Sequence, residues 1–71
     1  MKHDNKYKEI GCKIAKYRKE ANLTQEQLAN TIGISYSYLV QIEAPNVVKK
    51  MSLEVLFDIA ETLNINVKDL F

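Results

Sequence analysis

Apolar side chains recur every three to four residues along almost the whole of this chain, and no segment alternates apolar and polar residues long enough to propose a strand. The period is helical throughout. In "NKYKEIGCKIAKYRKEA", Tyr7, Ile10, Ile14, Tyr17 and Ala21 share one stripe while Lys8, Cys12, Lys16 and Lys19 lie opposite, which predicts an amphipathic helix of about four turns. Asn22, a residue type that tolerates the left-handed conformation, ends it, and Leu23 turns back to the core. Thr24 and Gln27 have the spacing of a capping box, so a second helix starts there and buries Leu28, Ala29 and Ile32. Gly33 stops that helix at positive φ, and Ile34 plugs the corner.

Ser35 is a suitable N-cap for a third helix that buries Leu39 and Ile42 and leaves Tyr36, Ser37, Val40 and Gln41 pointing away or sideways. Pro45 disfavours helical geometry at Ala44, so this helix stops near Glu43. After the loop "APNVVKKM", Ser52 caps a fourth helix with Leu53, Leu56, Phe57, Ala60 and Leu63 on one stripe, and Asn64 terminates it. Asn66 caps a last short turn, "VKDLF". The pattern predicts an all-α, compact five-helix bundle in a single domain over residues 1–71, with residues 1–5 as a flexible tail.

Length agrees with one core, since 71 residues bury only about 60% of their unfolded surface and cannot be divided in two. No run of apolar residues is long enough for a membrane span, and "MKHDNKYKEI" is too polar for a secretory signal, so the expectation is a soluble, cytoplasmic protein. One cysteine, Cys12, excludes an internal disulfide, and one histidine, His3, leaves no Cys/His metal site; both read as surface residues. No metal, cofactor or small-molecule ligand is expected.

The net charge of +1 conceals a strong asymmetry. Residues 1–19 carry seven basic side chains (Lys2, Lys6, Lys8, Lys13, Lys16, Arg18, Lys19) against Asp4 and Glu9, whereas residues 20–71 carry three basic and seven acidic ones. On charge alone the basic segment is either a solvated helix face or a surface for a polyanion. No basic residue occurs between Lys19 and Lys49, a gap that includes the whole third helix.

Residues 24–43 carry the most informative spacing. Leu28, Ala29, Ile32, Gly33, Ile34, Leu39 and Ile42 describe two short helices packed at a steep angle. Ala29 must be small where the second helix crosses it, Gly33 must turn without a side chain, and Ile34, Leu39 and Ile42 must anchor that helix from below. The stretch "LTQEQLANTIGISYSYLVQIE" resembles the helix-turn-helix of the phage Cro and repressor family of DNA-binding domains. "IGCKIAKYRKEANLTQEQLA" and "SLEVLFDIAETLNINVKDLF" resemble the helices on either side, so the likeness runs from about Ile10 to Phe71.

The resemblance implies a transcriptional regulator without catalytic activity, bound to double-stranded DNA as a homodimer on a short, two-fold-symmetric operator. It places Tyr36, Ser37 and Gln41 at base-reading positions, beside which Val40 can make only apolar contact, and puts Gln25, Ser35, Tyr38, Lys49 and Lys50 among the candidates for phosphate contact. It also implies a partly buried ion pair between Arg18 and Glu43, the alternatives for Arg18 being an unpaired surface residue or a phosphate contact. For Tyr38 the favoured reading is local packing, with its hydroxyl reaching solvent or a phosphate. Ile65, Val67, Leu70 and Phe71 correspond to the end through which family members dimerise, unless they simply close the monomer core.

Tyr36 departs from the arginine, lysine or glutamine that many members carry there. Its ring edge can rest on a thymine methyl, Val40 can do likewise, and Gln41 can bond adenine N6 and N7. An operator with A·T pairs under this helix is therefore expected. The competing function is a protein-interaction or antitoxin-type module that keeps the fold with weak or no DNA binding, motivated by the near-zero net charge.

Overall fold

Side-chain caps set the start of three of the four α-helices. The computed structural model describes residues 2–71, and Met1 of the expected tail lies outside the described residues. Four α-helices, α1 (Asp4–Glu20), α2 (Gln25–Ile32), α3 (Tyr36–Glu43) and α4 (Leu53–Leu63), are followed by a single 3-10 turn, Val67–Leu70. The bundle is all-α as expected, but its fifth helix shrinks to that turn.

Helix α1 begins at Asp4, so Asp4 and Asn5 belong to the helix and not to a flexible tail. The His3 carbonyl accepts from the Lys6 and Tyr7 N–H groups, and Asp4 sits in the first turn, where a carboxylate suits the helix dipole. At the other end Asn22 takes φ 59°, and Leu23 donates back to the Arg18 carbonyl at 3.2 Å. The buried face of α1 is Ile10, Gly11, Ile14 and Arg18, with Tyr7 and Tyr17 at its edges and Ala21 exposed. The stripe is therefore rotated toward Gly11 and Arg18 from the one that apolar residues alone mark out.

At α2 the capping box is complete: Thr24 Oγ1 accepts from Gln27 N at 3.0 Å and Gln27 Oε1 accepts from Thr24 N at 2.8 Å. Gly33 closes the helix at φ 78°. Ser35 Oγ accepts from Tyr38 N at 3.0 Å to start α3, and Ser52 Oγ accepts from Val55 N at 3.2 Å to start α4. Asn64 ends α4 in the left-handed region, φ 57°. Around the final turn the Asn66 N–H donates to the Asp69 carboxylate at 3.1 Å.

Ile10, Ile14, Leu28, Ala29, Leu39, Ile42, Leu56, Ile59, Ala60, Leu63 and Leu70 form one core to which every helix contributes. On α4 the expected stripe is only partly right. Leu56, Ala60 and Leu63 are buried together with Ile59, whereas Leu53 and Phe57 are 60% and 49% exposed. Leu70 is fully buried, and the Lys13 ammonium donates to the main-chain oxygen of Phe71, so the end of the chain is pinned across α1. Burying a leucine of this kind stabilises the fold by about 2 kcal/mol.

Candidate nucleic-acid interface

Three side chains fix α3 from beneath. Leu39 and Ile42 are inserted in the core, and Glu43, in the last turn, is buried although charged. Its carboxylate is satisfied by Arg18 of α1 in a two-pronged pair, Nε to Oε2 at 2.8 Å and Nη2 to Oε1 at 2.9 Å. The third guanidinium nitrogen, Arg18 Nη1, donates to the Leu23 carbonyl at 2.7 Å. One arginine thus joins the end of α1, the α1–α2 turn and the end of α3, with no buried side-chain polar atom left unpaired among the described residues. Fork-to-carboxylate geometry of this kind fixes orientation as well as contributing energy.

Gln25, the first residue of α2, joins the same group: its Nε2 donates to Glu43 Oε1 at 3.1 Å. That amide nitrogen carries two hydrogens, so one faces Glu43 and the other, with the Oε1 acceptor, remains for a second partner. The sequence pattern does not show this tie.

Gly11 explains how closely α1 approaches α3. A Cβ on Gly11 would stand 2.0 Å from the Ile42 carbonyl oxygen. Ala29, the small residue of α2, is fully buried. The missing side chain at Gly11 lets α3 lie close against α1.

With its inner side fixed, α3 presents a second side outward. Tyr36 is 55% exposed; Ser37 and Gln41 are exposed and Val40 is half-buried. These four are brought together on one short helix, beside Ser35, whose hydroxyl oxygen is occupied by the Tyr38 amide while its hydrogen is free to donate.

Tyr38 faces elsewhere. Its half-buried ring packs against the core edge, its hydroxyl donates to the Lys50 carbonyl at 3.2 Å, and Lys49 Nζ lies 5.6 Å from the ring centroid. The geometry supplies local packing of the ring, with the hydroxyl held by a loop carbonyl. The segment from Ala44 to Met51 is thereby folded back along α3, with Lys50 exposed and Lys49 half-buried.

Of the four residues expected at a dimer interface, Ile65 and Val67 are half-buried and Phe71 is 59% exposed, but Leu70 is inside the monomer core and offers nothing to a partner. Leu53 and Phe71 instead line one cleft of about 410 Å³ with Tyr7, Ile10, Met51 and Leu56. Among the described residues no three His, Cys, Asp or Glu side chains come together as a metal site, and no helix is long and apolar enough to cross a membrane.

Comparison with known proteins accounts for this arrangement. Residues 11–71 match the family model for the helix-turn-helix domain. Among solved structures, the restriction-modification controller protein C.AhdI from Aeromonas hydrophila is similar with a TM-score of 0.82 and 28% identity, covering 94% of this chain and 97% of that one. SinR in the SinR/SinI protein complex is similar with a TM-score of 0.79 and 34% identity over 87% of this chain and 59% of that one. SinR described as the master regulator for biofilm formation, in complex with DNA, gives 0.78 and 34% over 86% of this chain and 95% of that one. A search of curated proteins gives no match. The chain belongs to the helix-turn-helix domain family, of the Cro/phage-repressor type. Proteins of this type are DNA-binding transcriptional regulators and not enzymes.

Proposed function

We propose that this regulator binds double-stranded DNA sequence-specifically, as a homodimer on a short palindromic operator, with α3 in the major groove. The observation that carries the reading is the division of α3 into two sides. One is fixed by Leu39, Ile42 and the Arg18–Glu43 pair; the other holds Tyr36, Ser37, Val40 and Gln41 with donors, acceptors and apolar edges suited to base edges. Position on the duplex comes from other groups: the free N–H of Gln25 and the α2 N-terminus on one phosphate, and the Ser35 hydroxyl, Lys49 and Lys50 on others. A similar fold solved with DNA supports the reading.

The dimer reading rests on Leu53, Phe57 and Phe71, three large apolar side chains about half exposed or more on the α4 and C-terminal side. Ile65 and Val67, half-buried beside them in the chain, belong to the same end. Two copies related by a two-fold axis would set their α3 helices about 34 Å apart, one turn of the duplex.

A salt titration of binding tests the reading. Four phosphates neutralised by two copies each of Lys49 and Lys50 give a log–log slope of about −3.6, from −0.9 per phosphate. A flat response, or no binding to mixed genomic fragments at low salt, contradicts the proposal and favours the protein-interaction alternative.

A further inference from the structure

Between α3 and α4 the chain runs from Ala44 to Met51 without regular structure, and it carries Lys49 and Lys50, the basic residues that end the gap without lysine or arginine. A backbone bond from the Val47 N–H to the Ala44 carbonyl, 3.3 Å, closes a turn at the start of this segment. At its far end the tie comes from a side chain of α3: the Tyr38 hydroxyl donates to the Lys50 carbonyl at 3.2 Å. The same tyrosine offers its ring face to the Lys49 ammonium, 5.6 Å from the centroid, within cation–π range. Tyr38 is itself held by the Ser35 cap and by packing against the core. Both lysines are therefore attached, one through its carbonyl and one through its ammonium, to the first turn of the helix whose outer side carries Tyr36 and Ser37.

We infer that Tyr38 is a positioning residue for DNA binding. It acts through Lys49 and Lys50, by holding their segment against α3, and not by touching a phosphate itself. An irregular loop bearing two long basic side chains loses conformational freedom when it binds a polyanion, and a loop already held at Lys50 loses less. The hydroxyl hydrogen is engaged by the Lys50 carbonyl, which leaves it a poor donor to the DNA backbone. This rests on the DNA reading given above and identifies which residue makes two of its phosphate contacts effective.

The test compares four proteins on one operator-length duplex across a range of salt: wild type, Tyr38→Phe, Lys49→Ala with Lys50→Ala, and the three changes together. Phenylalanine keeps the ring, its packing and the Lys49 contact, and removes only the hydroxyl. With the lysines present, Tyr38→Phe should weaken binding about fivefold, as expected for one lost hydrogen bond. It should also flatten the salt slope by about 1 for each phosphate contact released. Without the lysines it should change neither, and amide exchange at residues 47–51 should be faster in Tyr38→Phe while the melting temperature holds. Equal weakening in both backgrounds with an unchanged slope would mean a direct, uncharged phosphate contact and overturns the inference. Unaltered affinity with the lysines present overturns it as well. Either result leaves the DNA reading standing, whereas a wild-type protein that binds no DNA removes both.

Discussion

The backbone of α1 at Gly11 lies against the carbonyl of Ile42 in α3, so closely that a Cβ at position 11 would come to 2.0 Å from that oxygen. The contact is backbone to backbone, and no side-chain rotation relieves it. Inside a helix, alanine ordinarily stabilises relative to glycine by up to about 1 kcal/mol. Overpacking a site of this kind costs about 1–3 kcal/mol. The clash should prevail: Gly11→Ala is expected to lower the melting temperature, and at about 4–8 °C per kcal/mol for a domain of this size the change is easily measured. A higher melting temperature would show that α1 and α3 do not approach in this way.

Arg18 and Glu43 give a second prediction. Replacing Glu43 with alanine leaves a buried guanidinium without its partner, and should cost about 3 kcal/mol in denaturant unfolding. Arg18→Ala should cost a similar amount. Arg18→Ala combined with Glu43→Ala removes both charges, so it should cost less than the sum of the two single variants. Strict additivity would mean that the pair is not coupled.

A third prediction concerns association. Leu53 is the first residue of α4, where an acidic side chain suits the helix dipole, so Leu53→Glu should leave the monomer folded. With Phe57→Glu added, sedimentation should give a monomer at concentrations where the wild type is a dimer. Unchanged mass would place the interface elsewhere. Leu70 is the wrong residue for this test, because a glutamate there enters the monomer core and unfolds it.

Gln25 provides a fourth. Gln25→Ala removes the donor to Glu43 Oε1, but Arg18 still holds both carboxylate oxygens, so stability should fall by about 1 kcal/mol or less. DNA affinity should fall by a similar factor on every sequence, since a phosphate contact carries no base information. Loss confined to particular operators would contradict that role.

Local signals in the sequence specify the frame. The Thr24 box, Gly33, the Ser35 and Ser52 caps and the left-handed Asn22 and Asn64 are decided within a turn of chain, and each stands where the pattern puts it. What failed depended on distant packing. "LEVLFDIAETL" is apolar over more than one stripe, so packing against α1, α2 and the final turn decides that Ile59 goes in while Leu53 and Phe57 stay out. Leu70 looks identical to an interface residue until the last turn folds under α4. A glycine in a helical run does not reveal which backbone it meets, so the Gly11–Ile42 contact was invisible, as was the path that brings Lys50 to Tyr38. The Arg18–Glu43 pair, which the family resemblance implies, forms across 25 positions.

The central claim is that the outward side of α3 reads base edges. Selection of bound duplexes from random DNA, run in parallel on the wild type and Tyr36→Ala, addresses it most directly. The expected result is a two-fold-symmetric wild-type site with A·T pairs under α3. In Tyr36→Ala, preference should be lost at one or two base pairs of each half-site, by about 1–3 kcal/mol, with the other positions unaltered. Uniform weakening with every preference retained would contradict the claim and return Tyr36 to a packing or phosphate role.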